Sequence, residues 1–357
     1  MKKVNVENLV PGMVLAKDVY NYNDQLLLST GLCLNDKAIT KLTFYSINHV
    51  WVQEDSSPEE TASPTVETSY AERVQSSPDF KEFQKKFESS VAKLSIQISD
   101  IVEKNSPIDV NSMVVDALGL LNQEHDFNLF DMIHNMRQYD DLTFAHSLNV
   151  GLICHVFAGW LQMSEEEANL ALACGLLHDI GKLKIPENII KKPEKLTNTE
   201  YGLIKTHPIE GYKILQNYNV NSHIKNAALM HHERYDGSGY PIGLVGRDID
   251  KFARIVSIAD VYEAMTAARI YRGSLCPIQV ISIFENEGLQ KYDTKMIMTF
   301  LENIVNTYML NRVRLNNGKI GEIIFINKHF LSRPVIKCGA EYIDLSTNPE
   351  LYIEEII

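Results

Sequence analysis

Residues 170–182 read LALACGLLHDIGK, and residues 224–241 read IKNAALMHHERYDGSGYP. Each is an apolar helical run that stops at histidine and passes into a turn. In the first, His178 and Asp179 stand at the helix end, with Gly181 and Lys182 behind them. Adjacent positions on a helix diverge by about 100°, so both side chains can reach one side of a pocket. A buried, unpaired aspartate is costly, whereas a carboxylate next to metal has two oxygens with which to bridge two cations. The plain alternative is a helix end, since Gly181 suits a C-terminal cap and Lys182 suits the helix dipole. The second stretch argues against so plain a reading. Gly237 and Gly239 can take positive φ, and Pro241 blocks a return to helix. A turn gives no reason for His231 and His232 beside it.

Three more residues join this set. His146 lies in a helix beginning near Leu142, and His207 lies in a second helix expected over 199–215, TEYGLIKTHPIEGYKIL. A single helical histidine is more often a hydrogen-bonded core residue than a ligand. Asp260 sits inside IVSIADVYEAM, an otherwise apolar helix, where a carboxylate needs a partner. All-helical scaffolds build metal sites from inward-facing side chains on several helices. Mixed imidazole and carboxylate ligands suit iron, manganese, zinc or nickel rather than calcium or magnesium. One bridging carboxylate with several histidines suggests two metals close together.

The pattern around this cluster is helical for most of the chain. Phe83, Phe87, Val91, Leu94, Ile98 and Ile101 recur at steps of four or three, which is one face of a long amphipathic helix. This helix either packs on its neighbours or serves as a signalling and dimerisation helix. Ser164 to Glu167 and Thr197 to Glu200 are capping boxes. Asn221 or Ser222 caps a helix to His232, another runs from Ala253 to Arg269, and Asp293 opens the last. Upstream, Glu54 to Pro78 is rich in Ser, Thr, Glu and Pro and cannot bury enough apolar area to order itself. Before it lies a small mixed module. Met13–Val19, Gln25–Leu28 and His49–Gln53 read as strands, Asn23-Asp24 as a turn, and Asn35 as the cap of a helix from Asp36 to Tyr45. After residue 310 the period changes to short β-branched runs at Arg312–Leu315, Lys319–Ile326, Pro334–Lys337 and Glu341–Leu345. Asn316-Asn317-Gly318 forms a hairpin turn between the first two.

The expected architecture is therefore mainly α. A helical bundle holds a binuclear metal site, with a small α+β N-terminal module and a short β-rich C-terminal tail. The divisions read as 1–53 for the module, 54–80 for a disordered acidic linker and 81–125 for a helical connector. The central domain covers 126–309 and the tail 310–357. With 46 acidic against 34 basic side chains the net charge is −12, which disfavours DNA and anionic membrane surfaces as partners. The start, MKKVNVENLVPGM, lacks the apolar core of a secretion signal, and no run is long enough to span a bilayer. Five scattered cysteines without a CxxC pair fit reduced thiols and a cytoplasmic location.

His178-Asp179-Ile180-Gly181-Lys182, followed by the run from His231 to Pro241, resembles the HD-GYP domain. That is a subclass of the HD superfamily of metal-dependent phosphohydrolases. The resemblance runs from about Phe127 to Tyr308. It extends through Lys192-Pro193, Leu196-Thr197, His207-Pro208, Ala253 to Val256, Ala259 to Tyr262, Ala264 to Thr266 and Arg269 to Arg272. It implies hydrolysis of cyclic di-GMP to linear pGpG, and in some members on to GMP, by attack of hydroxide activated by two divalent metals. Iron or manganese is expected, with zinc or nickel as alternatives. By position, His146, His178, Asp179 and Asp260 would hold one metal. Asp179, His207, His231 and His232 would hold the second. Lys182 would approach the scissile phosphate. Arg269 and Arg272 would contact the substrate's phosphates or guanine, and Gly239, Tyr240 and Pro241 would lie at the mouth of the site. Some family members hold a third metal through a glutamate one helical turn before the first histidine. Leu142 occupies that position here, so two metals are expected. The same residues also fit a phosphodiesterase for another cyclic dinucleotide such as cyclic GMP-AMP, or a weakly active scaffold that binds cyclic di-GMP. A homodimer through the helical connector is a further expectation.

Overall fold

The computed structural model describes the chain apart from residues 7–8, 11, 21–25, 35–37, 40–41, 43–46, 48, 54–69, 122–127, 137–141, 193, 195 and 268–274. The N-terminal module contains strands β1 (Lys2–Asn5), β2 (Val19–Tyr20), β3 (Leu26–Leu28) and β4 (His49–Val52). β1 pairs antiparallel with β4, and β2 with β3. The β4 expectation holds. The first expected strand is shorter than its sequence pattern, with Val14 and Leu15 making only single bridges to Cys33 and Val52. The turn at Asn23-Asp24, and Asn35 and most of its helix, fall outside the described residues. Leu15, Leu34, Leu42, Val50 and Val52 close a small core that belongs to this module alone.

A helix over Tyr70–Ser76 (α1) occupies part of the stretch expected to be linker. Its Val74 is buried in the main core, an anchor that the polar composition around it conceals. Ser77 then caps the N-terminus of α2 (Pro78–Lys104), accepting from the Phe80 N–H, with Pro78 in the first turn. The proline is well placed there, because it has no N–H to leave unpaired. The predicted stripe from Phe83 to Ile101 is buried along this helix. It packs into the same chain's core.

The remaining helices are α3 (Val110–Leu118), α4 (Leu129–Asn135), α5 (Leu142–Trp160), α6 (Glu165–Leu177), α7 (Glu187–Ile190), α8 (Asn198–Ile204), α9 (His207–Leu215), α10 (Ser222–Met230), α11 (Lys251–Thr266), α12 (Pro277–Ile283) and α13 (Thr294–Thr307). The caps at Ser164, Thr197, Asn221 and Asp293 are formed as the sequence predicts. One expectation fails. The run 199–215 is two helices rather than one, because the chain breaks at Lys205-Thr206 and restarts at His207-Pro208. Proline disfavours helical backbone before it and suits a helix's first turn.

Helices α5 and α6 approach closely where two glycines meet. A Cβ on Gly175 would lie 2.6 Å from the Gly151 Cα. That contact brings the HD-bearing end of α6 against the start of α5. The tail is a five-stranded antiparallel sheet in the order β8-β7-β6-β5-β9, formed by β5 (Arg312–Leu315), β6 (Ile320–Asn327), β7 (Phe330–Cys338), β8 (Glu341–Asp344) and β9 (Ile353–Ile356). Gly318, at φ 83°, makes the predicted hairpin turn. Strand β9 is not among the expected strands, because its IEEI lacks a clear alternation. It is held by pairing to β5. One apolar cluster runs from Val74 through α13 to Ile353, so connector, helical bundle and tail share a single core. No described helix is long and apolar enough to cross a membrane.

Candidate metal centre

His178 is the C-cap of α6, and Asp179 begins the 3₁₀ turn Ile180–Lys184. This turn is pressed onto the N-terminus of α9. A Cβ on Gly181 would fall 2.0 Å from the His207 carbonyl oxygen and 2.4 Å from the Gly211 nitrogen. Only glycine permits so close an approach, and the approach sets His207 beside Asp179. His231 and His232 follow α10, His146 comes from the first turns of α5, and Asp260 from the middle of α11.

Asp179 is 2% exposed and lies at the centre of the cluster. Its Oδ2 is 3.6 Å from His146 Nε2 and 3.2 Å from His178 Nε2. Its Oδ1 is 3.2 Å from His207 Nε2 and 3.7 Å from His231 Nε2. Asp260 Oδ1 lies 3.1 Å from His146 Nε2, and its Oδ2 lies 3.9 Å from His232 Nδ1. Two groups flank the central carboxylate: His146, His178 and Asp260 on one side, and His207, His231 and His232 on the other. In each group the candidate ligand atoms lie within 4.8 Å of one another. All seven residues named from the sequence as metal ligands come together.

The donor chemistry fits cations. His178 Nδ1 is hydrogen-bonded to the Gly175 carbonyl and His207 Nδ1 to the Ile204 carbonyl, both at 2.7 Å. His231 Nδ1 faces the Ala227 and Ala228 carbonyls at 3.1 and 3.0 Å. With Nδ1 as the N–H donor, Nε2 carries the lone pair and points to the centre. His178 Nε2 and Asp179 Oδ1 are buried yet make no hydrogen bond among the described residues. Buried polar atoms of this kind need a partner, and a cation supplies one. Burial lowers the His231 pKa to about 4, and burial together with His231 holds His232 well below the usual imidazole range. Burial alone would raise both aspartates, but His178 and Lys182 hold Asp179 well below the carboxylate range, and His146 does the same for Asp260. Neutral imidazole and ionised carboxylate are the forms that ligate metal.

Two residues escaped the sequence reading. Glu263, buried on α11, lies 2.5 Å from His146 Nδ1 and accepts from Asn149 Nδ2 at 3.0 Å. It does for His146 what backbone carbonyls do for the other rings. Burial opposes a charge on His146, yet Glu263 and Asp260 push its pKa up to about 10. The only signal in the sequence is a second carboxylate three residues after Asp260, on the same helix face. Glu263→Gln should keep the fold and weaken cation binding by about 10- to 100-fold. Metal titration of the chelated protein checks this, and unchanged affinity would remove Glu263 from the site.

Glu233 is the other. Its carboxylate accepts from the backbone N–H groups of Ile242, Gly243 and Leu244 at 2.7–3.1 Å. It ties the loop after His232 back onto its stem. Gly237, at φ 81°, is used for positive φ as expected. Gly239 is not. It is required for space, since a Cβ there would lie 2.3 Å from the Arg234 nitrogen. The folded loop lays the Tyr240 ring on His232, with centres 4.7 Å apart. Pro241 follows through a cis bond.

The cluster opens on one side. His146, Asp260 and His232 are 12–18% exposed and Lys182 is 26% exposed, against 0–2% for His178, His207, His231 and Asp179. Lys182 Nζ is 2.5 Å from Asp179 Oδ2. Arg269 and Arg272 lie outside the described residues.

A model of the HD domain matches residues 131–296. Over 228 residues, 63% of this chain, the sequence is 32% identical to cyclic di-GMP phosphodiesterase PA4108 of Pseudomonas aeruginosa, covering 54% of that protein. It is 46% identical over 172 residues to the cyclic di-GMP phosphodiesterase response regulator RpfG of Xanthomonas campestris, covering 47% of this chain and 45% of that protein. It is 40% identical over 170 residues to 3'3'-cGAMP-specific phosphodiesterase 1 of Vibrio cholerae, covering 47% of this chain and 39% of that protein. The chain thus spans about half the length of these relatives or less. The matched segment contains the seven clustered histidines and aspartates, and its likeness is to the HD domain, a fold that implies divalent metal binding.

Proposed function

We propose that the chain is a metal-dependent phosphodiesterase that hydrolyses cyclic di-GMP to linear pGpG. In this reading His146, His178 and Asp260 would hold one cation and His207, His231 and His232 the other, with Asp179 shared between the two sets. The observation that carries it is the central carboxylate, with Oδ2 toward one histidine set and Oδ1 toward the other. Iron or manganese is the expected cation, given imidazole-rich ligands with carboxylates. The chemistry that such a pair supplies when bound is a more acidic water and neutralised phosphoryl charge.

The chain's own groups do the rest. Lys182 reaches from Asp179 to the open side, where its ammonium meets charge developing on phosphoryl oxygens. Buried His178, His207 and His231 keep water from the floor of the site. Tyr240, set between Gly239 and Pro241, covers His232 at the rim. Arg269 and Arg272 are assigned to substrate phosphates or guanine by the resemblance. The overall −12 charge does not oppose a small dianion, which meets the local cations of the pocket rather than the whole surface. A cytoplasmic location belongs to the same reading, since the proposed substrate is an intracellular messenger.

The likeness to the Vibrio cholerae protein named a 3'3'-cGAMP-specific phosphodiesterase favours a second substrate, 3'3'-cyclic GMP-AMP. The test is anaerobic purification, metal analysis, and chromatography of both cyclic dinucleotides with Mn²⁺ or Fe²⁺. The expected result is about two metals per chain and release of pGpG that stops on chelation. A protein that loads two metals and turns over neither dinucleotide would be a binding scaffold rather than an enzyme.

A further inference from the structure

Lys205 stands in the break between α8 and α9, two residues before His207. Its ammonium lies 4.9 Å from the centre of the Tyr201 ring and 5.0 Å from that of Tyr240. Tyr240 in turn stacks on His232, with planes 28° apart. The charge is therefore no more than about 10 Å from the His232 ring. Both ring faces attract the cation, but neither neutralises it. No described carboxylate lies within ion-pairing distance of Lys205. Several other lysines of the helical domain differ, since Lys182, Lys192, Lys213 and Lys251 each pair with an acid. Fixing Tyr240 over His232 needs packing, not charge. An unpaired ammonium, half-buried and held from two sides at the rim of this site, is suited to an anion that arrives with the substrate.

A cyclic dinucleotide has two phosphodiesters in one ring. Only one can lie over the candidate metal centre and Lys182 at a time, and the other projects away still charged. We propose that Lys205 is a substrate-binding residue that pairs with this second phosphodiester, its ammonium preset by Tyr201 and Tyr240. The proposal rests on the phosphodiesterase reading above.

Kinetics of the metal-loaded full chain on two substrates test it: cyclic di-GMP, and bis(p-nitrophenyl) phosphate, which has a single phosphodiester. Lys205→Met should raise KM for cyclic di-GMP about tenfold, the size expected for losing one charge-assisted contact, with a much smaller fall in kcat. The loss in kcat/KM should be several-fold larger on the dinucleotide than on the single ester. Lys205→Arg should recover most of it, and the salt dependence of KM should weaken in the methionine variant. Equal losses on both substrates, or a loss of bound metal, would show that Lys205 acts only by holding Tyr240 against His232, and would overturn the proposal. An unchanged KM would overturn it too. A wild-type protein that cleaves the single ester but no cyclic dinucleotide would overturn the substrate reading and this proposal with it, and that failure is visible before any variant is made.

Discussion

Asp179→Ala is expected to leave the protein without either cation and to cut turnover by more than about a thousandfold, beyond the loss for a single transition-state donor elsewhere. The carboxylate is the common neighbour of both histidine sets, so its removal cannot spare one of them. It also releases Lys182, whose ion pair with Asp179 aims the ammonium into the opening. Alanine leaves a small cavity, and Asp179→Asn separates charge from volume. The amide fills the same space and keeps one acceptor oxygen, but it adds a buried donor facing imidazoles. Circular dichroism should show both variants folded, because the buried histidines are held by their own backbone carbonyls. Metal analysis should show the cations gone in the alanine variant and depleted in the asparagine one. An alanine variant with two cations and wild-type turnover would refute the bridging role.

The second large effect concerns a residue without chemistry of its own. Gly181→Ala places a methyl group 2.0 Å from the His207 carbonyl oxygen and 2.4 Å from the Gly211 nitrogen. Both obstacles are backbone, so no side chain can swing aside. The turn and α9 must separate, and overpacking that well-ordered neighbours cannot absorb costs about 3 kcal/mol or more. In a domain of this size that lowers Tm by roughly 6–12 °C. The separation also moves His207 from Asp179, so the second cation should bind more weakly than the first. Gly202→Ala is the control. It lies in α8 with nothing within 4 Å of the added carbon, and alanine there should be neutral or stabilise by about 0.5–1 kcal/mol. Equal melting temperatures for the two variants would mean that the turn and α9 are not tightly apposed.

Most of the site was legible because its chemistry is written in neighbouring residues. His178-Asp179 and His231-His232 each join ligand types to a glycine turn within a few positions. His146 and Asp260 were weaker signals, each a lone polar residue on an apolar helix. Their meaning comes from α5 packing on α11, which no local window contains. Glu263 was missed for the same reason: it acts on a ring 117 positions away. The Gly239 assignment erred because sequence shows that glycine is present but not whether φ or space requires it. The single helix read over 199–215 failed where a proline began a new helix rather than kinking the old one. In the tail, β9 depends on a partner strand rather than on its own pattern. The linker expectation overreached because one buried valine, Val74, outweighed its polar surroundings.

The imidazoles of His178, His207 and His231 are each fastened through Nδ1 to carbonyls of the preceding turn. This makes the site a mould cast by the helices before any ion arrives. Loading and folding are then separate events. A chelator should empty the mould without melting it, and an added ion should refill it without a refolding step. In proteins whose fold is created by the metal, the two events are one.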